Sequence, residues 1–123
     1  MIFKGFTIEN SSNTLIIEGA GGLCSPINNE YLNIDLIIQL KVPVVVVINN
    51  YLGSINHSIM TIQTLQQANI DIIGIIFVGD EVKSSEAFIV AHTNVKKIGY
   101  IPFTKQLDKQ FIQTQAEQFK TIL

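Results

Sequence analysis

The β-branched run from Val44 to Ile48 constrains the fold of this 123-residue chain more than any other stretch. Pro43 precedes the run, and Asn49-Asn50 follows it, so both of its ends are marked by residues that favour turns. A strand made only of apolar residues is typical of a parallel sheet with helices on both faces. We therefore predict a strand that is buried on both faces.

Similar apolar runs alternate with helical patterns along the rest of the chain. The further predicted strands are Thr14–Ile17, Ile70–Val78 and Val95–Ile101, and the predicted helices are Asn33–Leu40, Gly53–Asn69, Lys83–His92 and Asp108–Leu123. This alternation predicts an α/β fold with a mainly parallel sheet and flanking helices. With no internal repeat or linker, residues 1–123 are expected to form a single domain.

Composition excludes several classes of function. The net charge is −2 without a basic cluster, so the chain has no electrostatic footprint for nucleic acid. Its apolar runs are far too short to span a bilayer, so we expect no membrane partner. Cys24 is the only cysteine, which rules out an internal disulfide and favours a reducing, cytoplasmic location.

Glu18 stands at the end of the first apolar run, and Gly19-Ala20-Gly21-Gly22 follows it directly. Carboxylate oxygens are ligands that Mg²⁺ prefers, and it usually binds beside phosphates. Glycines let backbone N–H groups approach an anion closely. From these residues alone, a phosphate and metal corner and a tight surface turn are equally good interpretations.

The stretch Gly53-Ser54-Ile55-Asn56-His57 opens the next predicted helix. Free N–H groups at such a helix start can bind a phosphate or carboxylate. The simpler interpretation is that Ser54 or Asn56 caps its own helix. His57 has no partner at metal-ligand spacing, so a surface or packing role is favoured for it.

Four stretches in this order resemble the C-terminal part of the dethiobiotin synthetase family, whose members close the ureido ring in biotin synthesis. They are Ile17–Leu23 with Pro26 after it, Asp35-Leu36 before Pro43-Val44, Tyr51–His57, and Ile98–Pro102. The resemblance implies a partial P-loop NTPase-like fold. It also implies an ATP- and Mg²⁺-dependent reaction that joins CO₂ to 7,8-diaminononanoate to give dethiobiotin.

The resemblance also assigns roles to individual residues. It implies that Glu18 binds Mg²⁺, and that nucleotide contacts come from Glu18, Gly19, Ala20, Gly21, Tyr100, Ile101 and Pro102. It further implies that the substrate carboxylate binds across a homodimer interface, to Gly53, Ser54, Ile55 and Asn56. Val78 stands where many family members carry the asparagine that reads adenine.

The family P-loop, of the form Gly-x-x-x-x-Gly-Lys-Thr, does not occur in these 123 residues. That loop cradles the triphosphate, so we expect the chain to be inactive alone and assign it no catalytic residue. Two other readings stay open. One is a non-catalytic binding or assembly module on the same fold, and the other is a fragment of a related P-loop amidotransferase-type ligase.

Overall fold

A computed structural model describes residues 14–120 of the chain. The chain divides into two compact units, Met1–Val42 and Pro43–Leu123. None of the helices within residues 14–120 is long and apolar enough to cross a bilayer. The expected single domain stays a prediction.

The first unit contains the glycine loop and one helix, α1 (Asn33–Leu40). The predicted strand Thr14–Ile17 is wrong: these residues pair with no strand in the described part of the chain, and Ile16 is 73% exposed. An apolar run becomes a strand only where a neighbouring strand supplies hydrogen bonds. A turn follows Pro26, where Asn28 Oδ1 accepts hydrogen bonds from the N–H groups of Glu30 and Tyr31, at 2.9 Å each.

The helix α1 has the predicted bounds, Asn33–Leu40. Leu32 is the N-cap residue, and Asn33 is the first helical residue. The Leu32 N–H donates to Asp35 Oδ2 at 2.8 Å, so a first-turn carboxylate satisfies the backbone at the helix start. The Asn33 side chain does not cap the helix, since it is buried and bonds to the glycine loop.

The second unit is a parallel α/β arrangement, which confirms the predicted fold class. Its elements in order are β1 (Val44–Asn49), α2 (Ser54–Gln67), β2 (Ile72–Gly79), α3 (Lys83–Thr93), β3 (Lys97–Pro102) and α4 (Lys109–Glu117). The strands lie in the order β1-β2-β3, and both pairings are parallel. The helix α4 is shorter than predicted, and residues 121–123 lie outside the described part.

The core of this unit lies between the sheet and the pair α2–α3. The two helices pack against each other, and Gln66 of α2 donates a hydrogen bond to the Thr93 carbonyl of α3 at 2.9 Å. The buried apolar side chains are Val46, Ile48, Ile62, Leu65, Ile75, Phe77, Ile89 and Val95. Val47 alternates to the opposite face of β1 and is 63% exposed. The prediction of burial on both faces is therefore wrong for β1, because α2 and α3 cover one face only.

The β2–β3 pairing contains a register shift that changes which side chains share a face. Ile75 pairs with Lys97, but Ile76 pairs with Gly99, so Ile98 is an extra residue in β3. A bulge of this kind re-aims the side chains on either side of it. Lys97 and Tyr100 consequently lie on the same face as Phe77, and the Lys97 Nζ is 5.5 Å from the Phe77 ring centroid.

Candidate functional site

Two groups of predicted site residues follow strands that end at the same edge of the three-stranded sheet. Gly53–Asn56 comes after β1, and Tyr100–Pro102 forms the last part of β3. Because all three strands are parallel, their carboxyl ends share one edge, with the end of β2 between the two groups. Open parallel sheets bind ligands at this edge.

The start of α2 is held by a tight turn rather than by a side-chain cap. The Ser54 N–H donates to the Tyr51 carbonyl at 2.9 Å, which closes a turn over Leu52 and Gly53. Gly53 has φ +97° and ψ −3°, the values of the third residue of a type II turn, which glycine favours. The chain therefore needs a glycine at this position to enter α2.

This turn leaves backbone donors free at the helix start. No side chain caps α2, so the predicted capping by Ser54 or Asn56 is wrong. The His57 N–H donates to the Gly53 carbonyl at 3.2 Å, whereas the Ile55 and Asn56 N–H groups have no acceptor among the described residues. Two unpaired donors at the positive end of a 14-residue helix form a favourable anion site.

A small groove of about 130 Å³ lies between β1 and the first turns of α2. Val46 and Ile48 give it an apolar wall, and Ser54, Ser58 and Thr61 line its helix side. At its mouth the Tyr51 hydroxyl and His57 Nδ1 lie 2.5 Å apart and share a hydrogen bond. His57 therefore has a defined partner at the helix start, which its position in the sequence did not reveal.

The predicted nucleotide segment on β3 is fixed by side chains on both sides. The Tyr100 hydroxyl donates to the Gly79 carbonyl at 2.7 Å. On the outer edge, Gln118 Nε2 donates to the Tyr100 carbonyl at 3.1 Å, and Gln118 Oε1 accepts from the Tyr100 N–H at 3.3 Å. Gln118 thus satisfies the backbone N–H and carbonyl of Tyr100, which a neighbouring strand would otherwise do. Ile101 and Pro102 are half-buried at the end of β3.

In the first unit, Asn33 shapes the glycine loop. Its Nδ2 donates to the Ala20 carbonyl at 2.7 Å and to the Gly22 carbonyl at 2.9 Å. Gly21 has φ +77°, and a Cβ there would lie 2.4 Å from Ser25 Oγ. The Gly22 N–H donates to that same Ser25 Oγ at 3.0 Å. Sequence reasoning treated Asn33 only as the start of a helix and missed this role.

The Glu18 side chain is exposed beside this loop. Residues 14–120 contain no group of three or more His, Cys, Asp or Glu residues that could hold a metal ion by themselves. A single carboxylate nevertheless suits Mg²⁺ that arrives with a nucleotide, because phosphates and water then supply the other oxygen ligands. Glu18 therefore fits a nucleotide-borne Mg²⁺.

A buried charged network at the sheet edge was not predicted. The Glu86 carboxylate accepts hydrogen bonds from Lys97 Nζ at 2.7 Å, Asn50 Nδ2 at 2.9 Å and the Val82 N–H at 3.2 Å. Burial alone raises the pKa of Glu86, but these hydrogen bonds and the Lys97 charge outweigh it and lower the pKa below its ordinary value. Lys97 also lies 5.2 Å from the Tyr100 ring centroid. No sequence spacing links these residues, since they come from different elements.

Residues 2–110 match a family model described as an AAA domain, which is most of the chain. The chain belongs to the AAA domain family. An AAA domain is consistent with the parallel sheet and its flanking helices, and with ligand sites at the carboxyl ends of the strands.

Three curated proteins named ATP-dependent dethiobiotin synthetase are similar to this chain. The protein from Rhodopseudomonas palustris (strain BisB18) is 38% identical over 93% of this chain and 53% of its own length. The Cytophaga hutchinsonii protein is 39% identical over 88% of this chain and 52% of its own length. The Christiangramia forsetii protein is 42% identical over 95% of this chain and 56% of its own length.

These similarities confirm the resemblance to dethiobiotin synthetase that the four motifs indicated. The AAA domain described here spans about half the length of the curated relatives that it matches.

Proposed function

We propose that this chain is the part of an ATP-dependent dethiobiotin synthetase that binds the substrate carboxylate and contributes to nucleotide binding. In that reaction CO₂ adds to an amine of 7,8-diaminononanoate, ATP phosphorylates the resulting carbamate, and the second amine displaces phosphate to close the ring. The chain's part in this reaction is positioning and charge neutralisation.

The observation that carries the proposal is the uncapped start of α2. The N–H groups of Ile55 and Asn56 have no acceptor among the described residues, and the helix dipole adds positive potential there. A carboxylate satisfies both donors, with the Gly53 turn and Ser54 holding them in place. The groove lined by Val46, Ile48 and Ser54 lies along the same first turns of α2, and its apolar wall suits an aliphatic chain.

The nucleotide part of the proposal rests on two groups of residues. In one unit Glu18 and the backbone of Gly19, Ala20 and Gly21 present an oxygen ligand and N–H donors. In the other, Tyr100, Ile101 and Pro102 form a rigid strand end. Mg²⁺, when bound, would neutralise phosphate charge, and Glu18 is the residue that would hold it.

We further propose that these 123 residues alone do not catalyse the formation of dethiobiotin, and that the family reaction takes place in a cytoplasmic homodimer. They contain no P-loop, which is the element that cradles a triphosphate in enzymes of this type. Incubation with Mg-ATP, bicarbonate and 7,8-diaminononanoate tests the first point, and clear formation of dethiobiotin would contradict it. Light scattering at micromolar protein tests the second, where a clean monomer would count against a homodimer.

The carboxylate site is tested by a change of charge at its edge. Asn56 is exposed in the first turn of α2, so Asn56→Asp adds a negative charge beside the free amides with almost no change in shape. A negative charge in this turn favours the helix, so a loss of binding cannot come from unfolding. We expect the affinity for 7,8-diaminononanoate, measured by calorimetric titration, to fall about tenfold, as for a like charge a few ångströms from the ligand.

The matched control is Gln63→Glu, which adds the same charge to an exposed position two turns further along α2. It should leave the affinity unchanged within about twofold, because screening weakens a charge at that distance. Equal affinities of wild type and Asn56→Asp for 7,8-diaminononanoate would show that the carboxylate does not bind at this site.

The nucleotide part of the proposal is tested by Glu18→Ala. This variant should bind Mg-ATP more weakly than wild type, and unchanged binding would count against a role for Glu18.

A further inference from the structure

The carboxyl end of β2 is held from both sides by side chains of its neighbours. The Gly79 carbonyl accepts from the Tyr100 hydroxyl at 2.7 Å, and the next carbonyl, that of Asp80, accepts from Asn50 Nδ2 at 2.9 Å. Gly79 has φ +90°, and a Cβ there would lie 2.6 Å from Asn49 Oδ1. The loops after β1 and β2 are therefore in direct contact.

Asn50 is the residue that joins these two loops. Its Nδ2 donates to the Asp80 carbonyl and to Glu86 Oε1, at 2.9 Å each. Both partners are acceptors, so the orientation of the amide is fixed by its bonds. Asn50 Oδ1 is buried and has no partner among the described residues, so the side chain is held entirely through its nitrogen.

Glu86 is in turn held in place by Lys97. Only 5% of the Glu86 side chain is exposed, and Lys97 Nζ lies 2.7 Å from Glu86 Oε2. Glu81 also approaches Lys97 Nζ, at 3.9 Å. The Glu86 oxygen that faces Asn50 is thus part of an ion pair anchored in β3, which makes it a stiff acceptor.

Asn50 directly precedes the turn that opens α2. Tyr51 follows it, and the Tyr51 carbonyl accepts the hydrogen bond that closes that turn. The Leu52 side chain at the tip of the turn is fully exposed and makes no packing contribution there. The side-chain hydrogen bonds of Asn50 therefore anchor the backbone between β1 and the turn.

We propose that Asn50, held by Glu86, is a positioning residue that sets the direction of the free Ile55 and Asn56 amides and so the affinity of the carboxylate site. This inference rests on the proposed function for its ligand. It differs from that function in naming a residue that does not touch the ligand.

The test is Asn50→Ala in the full chain, read by NMR and by calorimetry. In ¹H–¹⁵N spectra we expect the amide resonances of Gly53 to Asn56 to shift, and the hydrogen-bonded Ser54 amide to exchange with solvent faster. The affinity for 7,8-diaminononanoate should fall about tenfold, the size of one hydrogen bond to a charged group. Asn50→Ser, which is too short to reach both acceptors, should give the same two changes and serves if the alanine variant does not fold.

The matched control is Lys83→Ala. Lys83 lies in α3 and pairs with Glu81 at 3.8 Å, but its side chain is 84% exposed and has no bond to Asn50. Its loss should leave the resonances of Gly53 to Asn56 and the affinity unchanged.

The outcomes separate this inference from the proposed function. If wild type binds and Asn50→Ala binds equally well, the positioning role is overturned. If the resonances of Gly53 to Asn56 do not move in either Asn50 variant, it is also overturned. If they move while wild-type protein shows no binding, the proposed carboxylate site fails, whereas the control of the amides by Asn50 is supported.

Discussion

Lys97 Nζ donates a hydrogen bond to Glu86 Oε2 at 2.7 Å, and this pair joins β3 to the first turn of α3. Glu86 is 4% exposed, so its charge depends on the donors around it. The hydrogen bonds from Lys97 and Asn50 lower its pKa in the folded state in spite of burial, which alone raises it. A buried carboxylate of this kind links the stability of the fold to pH.

Glu86→Gln removes the charge and keeps the shape. Because the folded-state pKa is lowered, Glu86 contributes stability above its ordinary pKa and loses it as the pH falls through the folded value. At neutral pH we expect a loss of about 1–3 kcal/mol in the free energy of unfolding, measured by urea denaturation. The difference from wild type should shrink as the pH falls below the ordinary glutamate range. Glu117→Gln, in the exposed pair with Lys120, is the control and should change little at any pH.

Gly53→Ala tests the turn before α2. A Cβ at Gly53 would have no atom within 4 Å, so its only cost is the backbone strain at φ +97°. We expect a loss of about 1–2 kcal/mol in unfolding free energy. Gly22→Ala is the control, because that site is also open but its φ lies outside the left-handed region. Equal stability of both variants would show that the turn tolerates a side chain.

Gly74→Ala tests the close packing of β2 against β3. An added Cβ would lie 2.3 Å from Ile98 Cγ2 and 2.9 Å from the Lys96 carbonyl oxygen, within the sheet. Overpacking at such a site should lower the free energy of unfolding by about 1–3 kcal/mol. Urea denaturation measures this loss. The double variant with Ile98→Ala should recover part of the loss and so show non-additivity. Strict additivity would contradict the contact with Ile98.

Asn33→Asp tests the clamp on the glycine loop. It replaces the donor Nδ2 with an oxygen that faces the Ala20 and Gly22 carbonyls. We expect amide exchange at Gly22 and Ser25 to become about tenfold faster, as expected for the loss of a buried hydrogen bond. Exposed Asn29→Asp adds the same charge nearby and should leave exchange unchanged. Equal exchange in both variants would show that Asn33 does not hold the loop.

The order of the amino acids was enough to predict the fold class, the helix starts and the family. The apolar runs and helical periods of the second unit predicted its strands and helices to within a few residues, because local pattern reflects which face is buried. The motifs around Glu18 and Gly53 were sufficient to indicate dethiobiotin synthetase. Their spacing is a property of the chain alone and needs no tertiary contact.

The pairing of the side chains, in contrast, depends on how the chain packs. The exposure of Val47 depends on which faces α2 and α3 cover, and the placement of Lys97 and Tyr100 on one face depends on a bulge in β3. The Asn33 amide turned out to bond to loop carbonyls, and Asn50 to join two strand-end loops. Such bonds link residues 11 to 36 positions apart, at distances that no local pattern encodes. They form only when the packed backbone brings donors and acceptors within reach.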